Sequence, residues 1–462
     1  MIKFLLSLFV FLAISTPQGF SQNSLEGIWE GGITVPGGEL KVIFNINKTG
    51  SIYSGTLDIP QQGAIGLKLD PISQNEDSVS LTFKAGQVVG TFTGKFESAT
   101  KISGNYSQGG PSTPFSVEQT STSTNMVMKP ENEVDFIIKN GDIEIGGTLT
   151  LPQDEIKAPL LIMNSGSGAQ DRDSDIFGFK IFATIAQHLA EKGIPSFRFD
   201  DRGINESSGD FANATLNNLS SDVEAIMSFF QEHEDFNFQD FALLGHSQGG
   251  VIAGKVAAEN AAVKQLILMG STAPSLQEIL RYQVEFAYSA SPIDEVLVEK
   301  EILARENIMN AVVSGTKINE AKESYIQAYT ELLNNLPETQ RNSIPDIDVM
   351  VATQADQLTS LYSSPQLKSL LLYEPTKDLE KITATTLVLF GEKDTQVTIT
   401  QNRTKIREAL EKSGVDYEIK IFESANHLFQ KANSGLANEY HLLEKKFVDG
   451  FLNHLSNWLI SN

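Results

Sequence analysis

The 462-residue sequence contains no cysteine and only six histidines. The first absence excludes disulfides, a thiolate nucleophile, zinc–thiolate clusters and iron–sulfur centres. The second restricts any catalytic or metal-binding imidazole to His188, His233, His246, His427, His441 or His454. Cationic side chains are scarce too: 35 Lys and Arg stand against 58 Asp and Glu, a formal charge of −23. No nucleic-acid partner is expected, because affinity for a phosphate backbone rests on clustered Lys and Arg. What is present is ordinary globular material, 40% hydrophobic, with length for two to four domains at about 100–200 residues each.

At the start, Lys3 is followed by an apolar run from Phe4 to Ile14, then by Pro17, Gly19 and Ser21. The run is too short to cross a bilayer and reads as a cleaved signal peptide over residues 1–22. Gly19-Phe20-Ser21 offers a cleavage context, with Gln22 as another end of the signal. No cysteine follows for lipid attachment, so no stable membrane insertion is expected once the signal is removed. Export without disulfides points to a bacterial periplasmic or secreted protein.

Two periods divide the rest. Over residues 23–118 the period is two: Leu40, Val42, Phe44 and Ile46 alternate with polar neighbours, as do Val79, Leu81 and Phe83. Val88 to Phe96, Ile102 to Tyr106, and Phe115 with Val117 continue it, separated by turns such as Pro36-Gly37-Gly38 and Gly109-Gly110-Pro111. Short alternating strands with such turns predict an antiparallel sandwich or small barrel. Gly27-Ile28-Trp29 resembles the opening of lipocalin-like barrels, though a tryptophan plugging a barrel is the simpler reading. Residues 119–132 are Ser/Thr-rich and aperiodic, a linker.

From residue 133 to 462 strands and helices alternate. A hairpin turned at Asn140-Gly141 precedes strands at Leu160–Asn164, Ile194–Asp200, Phe241–Gly245 and Gln265–Gly270. Helices are expected at Phe179–Lys192, Leu219–His233 and Gly250–Asn260. The alternation stops for a helical insert at about 275–380. It then resumes with strands Thr386–Phe390 and Tyr417–Phe422, a helix Thr400–Ser413 and a last helix from about Glu439 to Ile460. Continuous apolar strands such as Leu266-Ile267-Leu268-Met269 imply a mostly parallel sheet covered on both faces. An insert in such a sheet overhangs the carboxyl edge, where ligands bind.

Gly245-His246-Ser247-Gln248-Gly249 lies between a strand and a helix, the spacing that lifts Ser247 from a strained turn as a nucleophile. A base must come from the histidine list. His427 follows the strand Tyr417–Phe422 at its carboxyl end, where the serine emerges. His188 and His233 fall late in helices, and His441 and His454 in the last helix. The side chain of His246 is expected to point away from a base's position. Asp394, in Gly391-Glu392-Lys393-Asp394, is the expected orienting carboxylate, with Glu392 as its neighbouring alternative. Backbone N–H groups of Gln248 and Ser167 are the expected oxyanion donors, Gly166 being close to Ser167. Asn164-Ser165-Gly166-Ser167-Gly168 lacks the Gly-Lys-Ser/Thr ending of a phosphate loop. No cofactor or metal is implied. Asp171-Arg172-Asp173 reads as an internally paired cluster bracing this loop, with substrate contact by Arg172 the lesser alternative.

With those residues in place, the chain resembles the α/β-hydrolase family, and within it the serine aminopeptidase S33-like exported bacterial hydrolases. The carriers are Ser165 to Asp173, Phe197-Arg198-Phe199-Asp200-Asp201-Arg202-Gly203, Gly245 to Gly249, Gly391 to Asp394 and Asn426-His427. Ser364-Pro365 through Tyr373-Glu374-Pro375 also looks like a segment of these relatives. Ala169 stands where the family usually has proline after Gly-Ser-Gly. The resemblance covers about residues 134 to 460 and leaves out the β-domain. It implies an α/β-hydrolase fold with a helical cap and a Ser247, Asp394, His427 triad. The substrate expected first is a small carboxylic ester. An aminopeptidase acting on short peptides comes second, and an envelope protein that binds a ligand or glycan without catalysis comes third.

Overall fold

Alternation in the first hundred residues builds a closed barrel in the computed structural model. The model describes residues 23–35, 38–50, 52–59, 64–85, 88–108, 112–120, 130–289, 293–342 and 344–462. The expected signal peptide, the turn residues 36–37 and 109–111, and most of the expected linker lie outside these residues. The chain forms two compact units, one before and one after residues 121–129.

The first unit consists of β1 (Gly27–Val35), β2 (Gly38–Thr49), β3 (Ile52–Ile59), β4 (Ala64–Asn75), β5 (Ser78–Ala85), β6 (Val88–Ser98), β7 (Lys101–Ser107) and β8 (Thr113–Thr120). Each strand pairs antiparallel with the next, and β1 closes on β8, with Gly31 opposite Val117. Of the two architectures expected, the barrel is the one formed. Its interior is filled by rings: Phe92 meets Phe44 edge-on at 4.8 Å and Phe115 at 5.1 Å. Trp29 is fully buried and donates its indole N–H to the Leu25 carbonyl at 2.8 Å. That supports the plug reading. Burial of each such side chain contributes about 1.5–3 kcal/mol.

The second unit opens with β9 (Glu133–Asn140) and β10 (Ile143–Thr150), the expected hairpin, then β11 (Leu160–Asn164). A short ribbon of β12 (Asp175–Ile176) and β13 (Phe179–Lys180) leads into α1 (Ile181–Glu191) and β14 (Ser196–Phe199). Next come α2 (Leu216–Glu232), β15 (Phe241–His246), α3 (Gln248–Glu259) and β16 (Val263–Met269). The insert follows: α4 (Leu276–Tyr288), α5 (Glu295–Ser314), α6 (Ile318–Asn334), α7 (Glu338–Arg341), α8 (Ile347–Ser363), α9 (Pro365–Leu370) and α10 (Thr376–Leu379). The chain ends with β17 (Thr385–Gly391), α11 (Ile399–Ser413), β18 (Tyr417–Phe422) and α12 (Phe451–Ser461). The sheet order is β18-β17-β16-β15-β11-β14-β10-β9. From β14 to β18 every neighbouring pair is parallel, and β9 and β10 run antiparallel at the edge. Apolar clusters cover both faces, as the unbroken apolar strands require.

Most boundaries shift by a residue or two from the sequence reading, and three of the differences have a visible local cause. α2 begins at Leu216 because Thr215 and Asn218 cap it reciprocally. Phe179 and Lys180 join the ribbon instead of α1. The last helix starts only at Phe451, since Gly450 stands in the left-handed region at φ +82°. His441 therefore lies on a short 3-10 turn, Ala437–Leu442, and not in the last helix.

Candidate active site

Strand β15 delivers Ser247 to the carboxyl edge of the sheet and α3 leaves directly behind it. Ser247 has φ 54° and ψ −119°, a conformation costing an L-residue about 1–3 kcal/mol. The surroundings hold it there: its N–H donates to the Met269 carbonyl at 2.9 Å, and its carbonyl accepts from Gly250 N–H at 3.0 Å. A Cβ at Gly245 would overlap the Gly249 carbonyl, and one at Gly249 would overlap those of Asn164 and Ser165. The turn and the loop after β11 are therefore packed backbone to backbone.

The loop after β18 presents His427. Asn426 is fully buried, and its side-chain oxygen accepts from the N–H groups of Leu428 at 3.0 Å and Gln430 at 2.9 Å. Such a side-chain-to-backbone turn fixes the residue within it. His427 Nδ1 meets Asp394 Oδ2 at 2.7 Å, both groups buried. The other carboxylate oxygen of Asp394 accepts from the Gln396 and Val397 N–H groups, each at 2.8 Å. With Nδ1 committed to Asp394, the lone pair of neutral His427 is on Nε2. Gly270, next in chain to the Met269 that binds Ser247, lies against both His427 and Asp394. Asp394 and His427 thus meet beyond the ends of the neighbouring strands β17 and β18, and β16, which ends at Met269, lies between them and the strand that carries Ser247. Glu392 is engaged elsewhere, accepting from Ser424 N–H at 2.8 Å.

The remaining histidines serve other surroundings. His188 bonds Ser456, His233 caps the end of α2 among phenylalanines, and His454 stands beside Glu418. His246 departs from the expectation that it turns away. It is buried with its ring 4.8 Å from that of His427, and its Nε2 donates to the His427 carbonyl at 3.0 Å. Burial, with His427 alongside, pushes its pKa down to about 3, so it stays neutral and acts as a prop.

The loop Asn164–Gly168 approaches from the opposite side. Gly166 is buried beside Ser247 and His246, and Ser167 stands exposed at its crest. Gln248 opens α3, whose amino end carries partial positive charge. Arg172 is not free for substrate: it binds Asp200 at 2.5 Å, Glu206 at 2.6 Å and Thr148 at 3.0 Å. Asp173 likewise pairs with Arg198 and Lys180. Arg172 and Asp173 thus form their ion pairs outward and not with each other as expected, because side chains on and after β14 and on the β9–β10 edge reach them, while Asp171 stays inside the cluster and accepts from Asp173 N–H at 3.0 Å. Among the described residues no group of three or more His, Asp or Glu is placed to hold a metal ion. The sequence reading passed over His246 and Asn426, whose partners are set by the tertiary fold. The Asn-His pair was the only linear signal.

A family model described as serine aminopeptidase, S33, matches residues 179–431, which include Ser247, Asp394 and His427 but not the barrel. Esterase EstD of Thermotoga maritima is 22% identical over 315 residues, 68% of this chain and 65% of the relative. The chain thus spans slightly under two thirds of that relative's length. Among solved structures, a proline iminopeptidase from Mycobacterium smegmatis is 16% identical, covering 71% of this chain and 98% of its own, with a TM-score of 0.43. The esterase EaEST from Exiguobacterium antarcticum is 16% identical, covering 71% and 99%, with a TM-score of 0.40.

Proposed function

The chain belongs to the serine aminopeptidase S33 family, and from that premise we propose that it hydrolyses small carboxylic esters through an acyl-enzyme on Ser247. The observation that carries the reading is the 2.7 Å bond from His427 Nδ1 to Asp394, held beside the strained turn of Ser247. His427 Nε2 takes the hydroxyl proton as Ser247 Oγ adds to the ester carbonyl. The N–H groups of Gln248 and Ser167 receive the oxyanion. The tetrahedral adduct collapses as His427 returns the proton to the departing alkoxide, leaving Ser247 acylated. Water, deprotonated by the same imidazole, then adds to the acyl carbon, and the acid departs as Ser247 recovers its proton.

Peptide hydrolysis at a free amino terminus is the second reading, and the family's description favours it. It requires a carboxylate available to a substrate ammonium. The fully buried carboxylate of the insert, Glu301, instead accepts from Nε and Nη2 of Arg305 one turn along α5. Arg305 already stands beside that carboxylate as a permanent cation, which disfavours a second one there, and an uncharged ester is in line with the name of the Thermotoga maritima relative. Rates on short-chain nitrophenyl esters and on aminoacyl anilides separate the two. Esters should turn over faster, and Ser247→Ala should abolish both turnover and labelling by a fluorophosphonate. Anilide turnover exceeding that of esters would reverse the ranking, and failure of the parent to be labelled would favour a non-catalytic binding protein. The leader at residues 1–22 extends the proposal to export, and amino-terminal sequencing of protein recovered from the producing cells should find it removed.

A further inference from the structure

The motif Phe197-Arg198-Phe199-Asp200-Asp201-Arg202-Gly203 has no part in the chemistry above, yet it leaves β14 directly beneath the loop that carries Ser167. Two of the carboxylates gathered there are paired with arginines: Asp200 with Arg172 at 2.5 Å and Asp222 with Arg202 at 2.6 Å. The third, Asp201, is used differently. A single oxygen, Oδ2, accepts from the Ser165 hydroxyl at 2.6 Å and from the Gln170 N–H at 2.8 Å. Asp201 N–H in turn donates to the Gln170 carbonyl at 3.0 Å. The two feet of the loop are therefore tied to one atom. Its crest, Ser167 and Gly168, is exposed, and the Ser167 carbonyl accepts from Nε2 of Gln170, itself one of the clamped feet, at 3.3 Å. Asp201 is itself immobile, because Asp200 before it accepts from Arg172 N–H, Arg172 Nε and Asn205. Burial, with Asp200 and Asp222 nearby, pushes the Asp201 carboxyl up to about 7, against the two hydrogen bonds that lower it.

We infer that Asp201 is a positioning residue for oxyanion stabilisation: its Oδ2 clamps Ser165 and Gln170 so that the loop between them keeps its backbone donor aimed at the tetrahedral adduct. The inference rests on the hydrolase reading above. An oxyanion donor acts only when it stands about 2.7–3.1 Å from the developing charge, so loosening the clamp should weaken transition-state binding and leave ground-state binding nearly untouched. Removing such a donor outright costs about 10²–10³ in kcat, and misplacing it should cost less.

The experiment compares the parent with Asp201→Ala, Asp201→Asn, Ser165→Ala and Ser247→Ala on a nitrophenyl ester, with a boronic acid as mimic of the tetrahedral adduct. Asp201→Ala should lower kcat about 10–100-fold with KM within about threefold, and boronate affinity should fall in step. Asp201→Asn, whose amide oxygen accepts the same two hydrogen bonds, should recover kcat to within about threefold of the parent. A kcat for Asp201→Ala within threefold of the parent, a loss confined to KM, or an Asn variant as impaired as the Ala variant would each overturn the inference. Should Asp201→Ala lack a cooperative thermal transition, Ser165→Ala decides: a several-fold loss of kcat at constant KM is expected, and an unchanged kcat refutes the clamp. Residual turnover in Ser247→Ala would overturn the hydrolase reading instead.

Discussion

Replacing Asp394 by asparagine tests whether the imidazole proton sits where an ester hydrolase needs it. Asp394 divides its oxygens, Oδ1 accepting from Gln396 and Val397 at 2.8 Å each and Oδ2 meeting His427 Nδ1 at 2.7 Å. An asparagine amide must keep its oxygen on the two N–H groups. Turning it over would forfeit two hydrogen bonds worth about 1 kcal/mol each and strand buried donors at about 1–3 kcal/mol apiece. The NH2 group therefore faces Nδ1, which can then only accept, and the ring proton moves to Nε2, where the mechanism needs a bare lone pair. We expect kcat to fall about 10³–10⁴-fold, about 4–5.5 kcal/mol at 1.36 kcal/mol per decade. KM should stay within about threefold and the thermal midpoint close to that of the parent. Initial rates over a range of nitrophenyl ester concentrations, with a thermal scan of each variant, supply the numbers. Glu392→Gln is the control, since its amide oxygen still accepts from Ser424 N–H and kcat should stay within about twofold. A kcat within tenfold of the parent for Asp394→Asn, or an equal loss in Glu392→Gln, would refute the assignment.

Gly249→Ala drives a methyl into the Asn164 and Ser165 carbonyls and should cost at least about 2 kcal/mol; an unchanged thermal midpoint would contradict the packed turn. Asn426→Ala strips two buried N–H groups of their acceptor and should lower both thermal midpoint and kcat, whereas Asn426→Asp keeps the acceptor and should restore most of each. His246 and Asp201 should oppose each other in acid. Between 3.8 and 6.5, their ordinary values, the unfolded chain holds one more proton at His246 and one fewer at Asp201, giving slopes of about 1.4 kcal/mol per pH unit of opposite sign. Relative to the parent, His246→Asn should gain stability from pH 6.5 to 4.5 and Asp201→Asn should lose it; urea midpoints that track the parent in both would refute the burial argument.

The places of Ser247, Asp394 and His427 in the fold are legible because each follows the carboxyl end of a strand, and strand ends can be read from local hydrophobic patterns without knowing how the strands are ordered. The same reading fails where the period is broken. In β4 the register shifts between Leu69 and Ile72, opposite Phe83 and Leu81, so the alternation changes phase and β3 and β4 pass unnoticed. The expected last helix extends backward through Leu443 and Phe447, which do pack inward, but Gly450 interrupts it and Leu442 is exposed. Positioning residues were the hardest. His246 meets a carbonyl 181 residues away and Asp201 a hydroxyl 36 residues earlier, and no local pattern encodes either contact.

The distribution of charge around the site follows from what each carboxylate must do. Asp200 and Asp222 fix the frame, and there a permanently charged guanidinium is the strongest partner, Arg172 placing two donors on one oxygen of Asp200 and Arg202 spanning both oxygens of Asp222. At Asp394 such a partner would be harmful in the proposed mechanism. The aspartate stabilises the imidazolium that forms when Ser247 loses its proton, and an arginine sharing that carboxylate would withdraw part of the stabilisation. Asp394 is accordingly met by two uncharged N–H groups and the imidazole, and Asp201 by a hydroxyl and an N–H. Neutral donors hold both side chains in place, and at Asp394 they leave the charge to the imidazole it faces. The fold keeps its arginines one residue away on either side of Asp201, at Asp200 and through Arg202 at Asp222, so the loop is braced by ion pairs that never touch it.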